Sequence, residues 1–265
     1  MEKRGQVGVF VIVGAVVLAA FVLLFFFQDN LRELRQQQSP QEFLELRLAS
    51  FEDDLKDCVS QSYQKEVSLF LEQGGVFDPV RYLEYQGRKV TFLCQSLEGG
   101  SCLSSPLVYS HVEQYFAERI EVSVLSCLHL DAYQEEEYSF VQEGNLSVAL
   151  DLSHVGSSFL VSYPITFSRQ ELSVSSEPLS LFDPFPLRSY LDIVNDLLRQ
   201  EALGDPVDPL IENLLSLGRF TLEIKKPYPD KVYIVSLPAY PEKHFWFAVE
   251  GEGRYERYEA PFLAE

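Results

Sequence analysis

Residues 39–75 read SPQEFLELRLASFEDDLKDCVSQSYQKEVSLFLEQGG, and the spacing of their apolar side chains decides how the rest of the chain is read. Leu44, Leu48, Phe51, Leu55, Cys58, Tyr63, Val67 and Phe70 recur at intervals of three to five, which is one face of an α-helix and predicts a buried stripe. Ser39 stands where an N-cap belongs, Pro40 at the first helical position, and Glu42 where a capping box closes. Gly74 and Gly75 end the pattern, as glycines past a helix C-terminus do.

On the N-terminal side, residues 28–38 are polar apart from Leu31 and Leu34 and read as a helical stalk. Before them, Val7 to Phe27 form 21 residues without a charge. At 1.5 Å per helical residue they cover about 30 Å, the thickness of a bilayer core, so a transmembrane helix in contact with membrane lipid is expected. Lys3 and Arg4 precede the run, and the positive-inside preference keeps that end cytoplasmic and places the rest outside the membrane.

On the C-terminal side, Tyr82 to Cys94 read as a hairpin turning at Gln86-Gly87. Ser105-Pro106 is expected to open a second helix running to Cys127. Ser139 to Gln142, Leu146 to Leu152, Phe159 to Phe167 and Leu172 to Ser176 carry strand-forming residues between turn signals, which predicts a meander-type sheet. Leu187, Tyr190, Leu191, Val194, Leu197 and Leu198 mark another amphipathic helix, ending near Gly204. Asp208-Pro209 caps a shorter one, followed by strands at 220–224, 232–237 and 245–249, with a further candidate at 255–258. The expected class is α+β: an N-terminal transmembrane helix continuing into a helical stalk, then helices packed on antiparallel sheet. The expected division is a basic start at 1–6, the membrane helix at 7–27, the stalk at 28–73, an α+β lobe at 74–205 and a smaller C-terminal part at 206–265. Asp205 to Pro209 is equally a short loop inside one domain.

The chain has 265 residues with 40 acidic against 21 basic side chains, a formal charge of −19. Glu2, Lys3 and Arg4 sum to +1 in the first 28 residues, so residues 29–265 carry −20. Nucleic acid is excluded as a partner, because phosphate neutralisation needs a basic face. With 46% hydrophobic residues the chain has the apolar mass to fold.

Cys58, Cys94, Cys102 and Cys127 are an even set in a body expected outside the cytoplasm, where thiols are not kept reduced. Three pairings exist; the favoured one joins Cys58 to Cys127 and Cys94 to Cys102, with free buried thiols and a metal site as weaker readings. No cysteines have C-x-x-C spacing, so no metal ligand is assigned. His111, His129, His154 and His244 fall in no catalytic motif, and neither a catalytic residue nor a cofactor site is assigned. The runs Glu52-Asp53-Asp54 and Glu135-Glu136-Glu137 read as solvated faces. Trp246, with Phe245, Phe247, Tyr228, Tyr233 and Tyr240, is expected in the core. Asn145-Leu146-Ser147 is the one N-x-S/T sequon and makes Asn145 a candidate N-glycosylation acceptor.

Lys3-Arg4-Gly5-Gln6 followed by the apolar run resembles the class III leader of archaeal type IV pilin-like proteins. That resemblance implies cleavage between Gly5 and Gln6 and self-association through the hydrophobic helix; Val7 to Val11 depart from it in supplying no polar or acidic residue. Leu55 to Cys58, Gln73-Gly74-Gly75, Tyr82 to Tyr85 and Cys127 resemble uncharacterised single-pass surface proteins of small-genome archaea, which implies a cell-surface location. The leading expectation is a non-enzymatic, membrane-anchored extracytoplasmic protein with an adhesion, envelope or assembly role. A pilin-like filament subunit is the second reading, and an extracytoplasmic enzyme or solute-binding module with an unrecognised site the third.

Overall fold

The computed structural model describes residues 39–97, 102–134, 138–205 and 207–251. Helix α1 (Pro40–Glu72) begins at Ser39, whose Oγ accepts the Glu42 backbone N–H at 3.2 Å, and Pro40 occupies its first turn. Seven of the eight stripe residues are buried and Leu48 packs against the core. At 1.5 Å per residue, α1 is about 50 Å long, and the rest of the fold is arranged along it.

Near its start, Phe43 and Phe51 meet Tyr138, Phe140 and Phe167 of an antiparallel sheet of β4 (Ser139–Gln142), β7 (Ile165–Arg169) and β8 (Leu172–Ser175), in the order β4-β7-β8. At mid-length Tyr63 packs on Phe159 and shares a 2.5 Å hydrogen bond with Ser157. Both belong to a second antiparallel sheet, β5 (Ser147–Ser153), β6 (Gly156–Ser162) and β9 (Leu179–Asp183), in the order β5-β6-β9. At its end Phe70 packs on Phe245 of the largest sheet. That sheet has the order β1-β2-β12-β11-β10: β1 (Tyr82–Tyr85), β2 (Arg88–Ser96), β12 (Tyr240–Val249), β11 (Lys231–Leu237) and β10 (Thr221–Lys225), with β3 (Cys102–Ser104) on β2. Helix α2 (Tyr109–Cys127) packs along α1, a 3-10 turn (Leu130–Tyr133) follows it, and α3 (Leu187–Leu203) and α4 (Pro209–Leu215) complete the elements. The main hydrophobic core draws on residues from Leu44 to Val249, and a second, smaller cluster of Val90, Phe92, Val232, Ile234, Trp246 and Ala248 lies on the largest sheet.

The architecture differs from the expected one. Among the described residues no helix is long and apolar enough to cross a membrane, and residues 7–27 lie outside the described set. The helix expected as a stalk is instead the centre of the body: beyond the stripe it also buries Val59, Ser62, Glu66 and Leu71, a face too wide to stand in water. Glu66 is tolerated there because Arg119 of α2 donates to it at 2.8 Å. The largest sheet is mixed rather than antiparallel, since β12 runs parallel to β2, with Ala248 opposite Phe92 and Val249 opposite Cys94. That pairing joins the first hairpin to the last strands.

Local differences have local causes. Helix α2 begins at Tyr109 and not at Ser105, because Asn195 of α3 holds the Leu107 backbone from both sides, Oδ1 accepting its N–H at 2.8 Å and Nδ2 donating to its C=O at 3.0 Å. The expected strand 159–167 is two, broken at Tyr163-Pro164, where proline has no N–H for a ladder. Strand β9 was not anticipated, as its half-exposed LSLFD carries a weak pattern. The Gln86-Gly87 turn is as expected, both residues at positive φ as a two-residue hairpin requires.

The structure brings Cys58 to Cys127 and Cys94 to Cys102, with Cα atoms 5.9 and 5.5 Å apart, both within disulfide range. The first pair ties the middle of α1 to the last residue of α2 across 69 residues, worth about 4 kcal/mol on the chain-entropy account.

Gly74 and Gly87 both have φ near +80°, but only at Gly74 would a Cβ meet backbone, the Trp246 carbonyl oxygen at 2.8 Å. Gly87→Ala is expected to cost about 1 kcal/mol and Gly74→Ala several-fold more; equal shifts in urea midpoint would refute this. Burial pushes the Tyr190 phenol up to about 12 and also raises Tyr63, Tyr133 and Tyr233. The unfolded chain ionises near pH 10 while the folded one does not, so stability is full below pH 10 and falls above it. The expected slope is about 1.4 kcal/mol per pH unit for each phenol, and a urea midpoint constant from pH 9 to 11.5 would contradict it.

Candidate interaction surface

Helix α3 has a buried face built from the six residues its periodicity marks, all at or below 1% exposure. Its C-terminus is closed by Gly204 in the left-handed region, whose N–H reaches back to the helix carbonyls. The opposite face carries Asp192, Asp196 and Arg199.

Helix α4 is built the other way round. Asp208 caps it, Oδ1 accepting the Leu210 N–H at 2.8 Å. Asn213 turns inward and bonds the Leu222 backbone of β10 twice, Nδ2 donating to the C=O at 3.0 Å and Oδ1 accepting the N–H at 2.6 Å. The buried Ser216 hydroxyl lies 2.9 Å from the Asn213 carbonyl and 3.0 Å from that of Phe220. The polar side chains therefore hold the helix to the sheet, and the apolar ones face water: Leu210, Ile211, Leu214 and Leu215, with Leu217 just beyond and Leu203 at the end of α3, are each more than half exposed. No residue of α4 is buried. Six large apolar side chains exposed within 15 residues exceed the scattered leucines normal on a monomer.

Beside this patch runs a groove of about 640 Å³ between α3, α4 and the β11–β12 turn, with Ile193, Leu197, Phe220 and Leu237 among its apolar lining. Its rim holds Asp192, Asp196, Glu212, Arg219 and His154. His154 Nδ1 lies 3.3 Å from Asp192 Oδ2, and Asp192 also accepts a hydrogen bond from the Tyr109 phenol, which raises that phenol's pKa. Ser189 lines the same groove, but no hydrogen bond joins its hydroxyl to His154. A nucleophile–base–acid chain needs that contact, so the three side chains share a rim without forming one.

The other sequence candidates are placed as follows. His244 Nδ1 is 2.5 Å from Ser236 Oγ on the neighbouring strand, and His111 and His129 are exposed. Among the described residues no group of three or more His, Cys, Asp or Glu could hold a metal ion. Asp53 pairs with Lys56 at 3.0 Å and Asp54 accepts from the Tyr133 phenol, while Glu135 to Glu137 lie outside the described residues. Phe245, Trp246, Phe247 and Tyr233 are buried and Tyr240 is half-buried against the core, whereas Tyr228 is 80% exposed. Asn145 is exposed in the loop before β5. Gly5 and Gln6 lie outside the described residues.

The α4 surface was not singled out from sequence. The signal was present as PLIENLLSLG (209–218), where four apolar residues share seven helical positions with Asn213, but the leucine spacing alone does not say which face meets the sheet.

If the leucines of α4 serve contact and not folding, Leu214→Asp should leave the urea midpoint nearly unchanged. Asn213→Ala should cost about 1–3 kcal/mol, because the Leu222 N–H and C=O lose their partner. A larger loss from Leu214→Asp than from Asn213→Ala would show that the patch is structural. Compared with known proteins, the chain matches no protein-family model, no curated protein and no solved structure.

Proposed function

We propose that this chain is a non-enzymatic, extracytoplasmic protein held at a membrane, which takes part in envelope assembly by docking another protein on the α4 surface. The observation that carries the reading is the reversed helix, whose Asn213 bonds the Leu222 backbone of the sheet while Leu210, Ile211, Leu214 and Leu215 face water. Exposing those residues costs solubility and yields no folding energy, so a surface of this kind is explained by what covers it. The two cysteine pairs at disulfide distance, the −20 carried by residues 29–265 and the uncharged run 7–27 support the extracytoplasmic, membrane-held part of the reading.

The occupant is a protein segment that is apolar with basic flanks. A second copy would bring the same acidic body against Asp205, Asp208 and Glu212, which border the patch. The nearby cations already have partners, Arg199 on Asp196 and Arg219 on the Ser216 carbonyl. Nor is the anchoring membrane the natural occupant. Helix α4 sits on β10, at the edge of the sheet that Phe70, near the C-terminal end of α1, packs against.

Photo-crosslinking side chains placed at 210 and 214 of the full-length chain, with 160 on the β5-β6-β9 sheet as control, test this in native membranes. The expected result is a crosslinked peptide rich in leucine-like and Lys/Arg residues from positions 210 and 214, absent at 160 and lost with Leu215→Asp. Crosslinks to lipid, to a second copy or equally at all three positions would overturn the docking surface.

A further inference from the structure

We propose that Asn145 carries an N-linked oligosaccharide. The sequon Asn145-Leu146-Ser147 lies where β4 has ended at Gln142 and β5 begins at Ser147. Burial alternates along it: Asn145 exposed, Leu146 buried, Ser147 exposed, Val148 buried. In extended chain, residues two apart share a face, so the acceptor amide and the serine hydroxyl point to solvent together while Leu146 and Val148 anchor the segment from beneath. An enzyme that must read both polar groups at once meets them on one open side.

The surrounding loop fixes this presentation. The Glu143 N–H donates to the Pro164 carbonyl at 2.9 Å, and Gln142 Nε2 donates to the Gly144 carbonyl at 3.0 Å. A Cβ at position 144 would meet Pro164 Cγ at 2.7 Å, so glycine lets the chain pass close to that ring just before the acceptor. The Asn145 side-chain amide makes no hydrogen bond among the described residues, and leaving it free costs nothing because it is in water. A glycan here displaces no packing contact.

The ligand class is an oligosaccharide delivered from a lipid-linked phosphate or diphosphate donor. Asn145 Nδ2 forms a bond to the anomeric carbon as the anomeric C–O bond to the lipid phosphate breaks. The amide loses one proton, the phosphate leaves with the bonding electron pair and accepts a proton, and nothing is oxidised or reduced. The inference rests on the extracytoplasmic reading, since such transfer belongs to the exported side of a membrane.

The test is peptide mapping by mass spectrometry of the full-length chain from its native cells, combined with thiol alkylation of the denatured chain in the absence of reductant. The expected result is a hexose- or hexosamine-bearing peptide containing Asn145 in the wild type and in Ser147→Thr. It should be lost in Asn145→Gln and Ser147→Ala, with all four cysteines resistant to alkylation throughout. An unmodified Asn145 in chains whose cysteines resist alkylation overturns the glycan and leaves the extracytoplasmic reading standing. An unmodified Asn145 with four alkylatable thiols overturns both, and modification that survives Asn145→Gln assigns the sugar to another residue and overturns the proposal.

Discussion

The fold depends on burying one long helix. Helix α1 has a mixed composition and no propensity that would keep 33 residues ordered alone in water, where helical stability comes chiefly from packing an apolar face. It gains that packing from three sheets set side by side along its length and from α2 beside it. Each contact uses a different side chain of the stripe: Phe51 for the first sheet, Tyr63 for the second, Phe70 for the third. The cysteine pair at Cys58 lies between those contacts and ties α1 to α2 where the helices run together. Remove the helix and the two small three-stranded sheets lose the surface that makes them stable, because sheets of this size need a second layer.

Against that background α4 is the element that breaks the rule. Elsewhere buried charged side chains are paired, as Glu66 with Arg119 and Glu201 with Lys231. In α4 the polar Asn213 and Ser216 do the holding and the leucines are left over. Local consistency fails in α4, and such places are where function is expected to sit. The groove beside it shares α3, whose buried stripe gives the site a rigid floor.

Much of this was legible in residue spacing. The α1 stripe, its Ser39 cap and glycine stop, the Gln86-Gly87 turn, the α3 face and the Asp208 cap follow from interactions between residues a few positions apart. The late start of α2 was not legible, because it depends on Asn195 reaching Leu107 from 88 positions away. The break at Pro164 was present in the sequence but hidden by strand-formers on both sides. The α4 surface was half legible: its helix follows from Asp208-Pro209 and the leucine spacing, while its orientation depends on two hydrogen bonds to β10.

By itself the sequence determined the elements whose causes are local: periodicity that selects helix or strand, caps that start and stop them, an acidic charge balance, and a sequon on an alternating pattern. Only the tertiary structure decided that the presumed stalk is the buried spine and that the first hairpin pairs in parallel with the last strand. It also decided that four cysteines meet in two particular pairs and that one helix shows its apolar side to water. Those outcomes depend on contacts between residues tens to hundreds of positions apart. Which surfaces meet is set by the competition among all apolar faces for burial, and no window of neighbouring residues contains that competition.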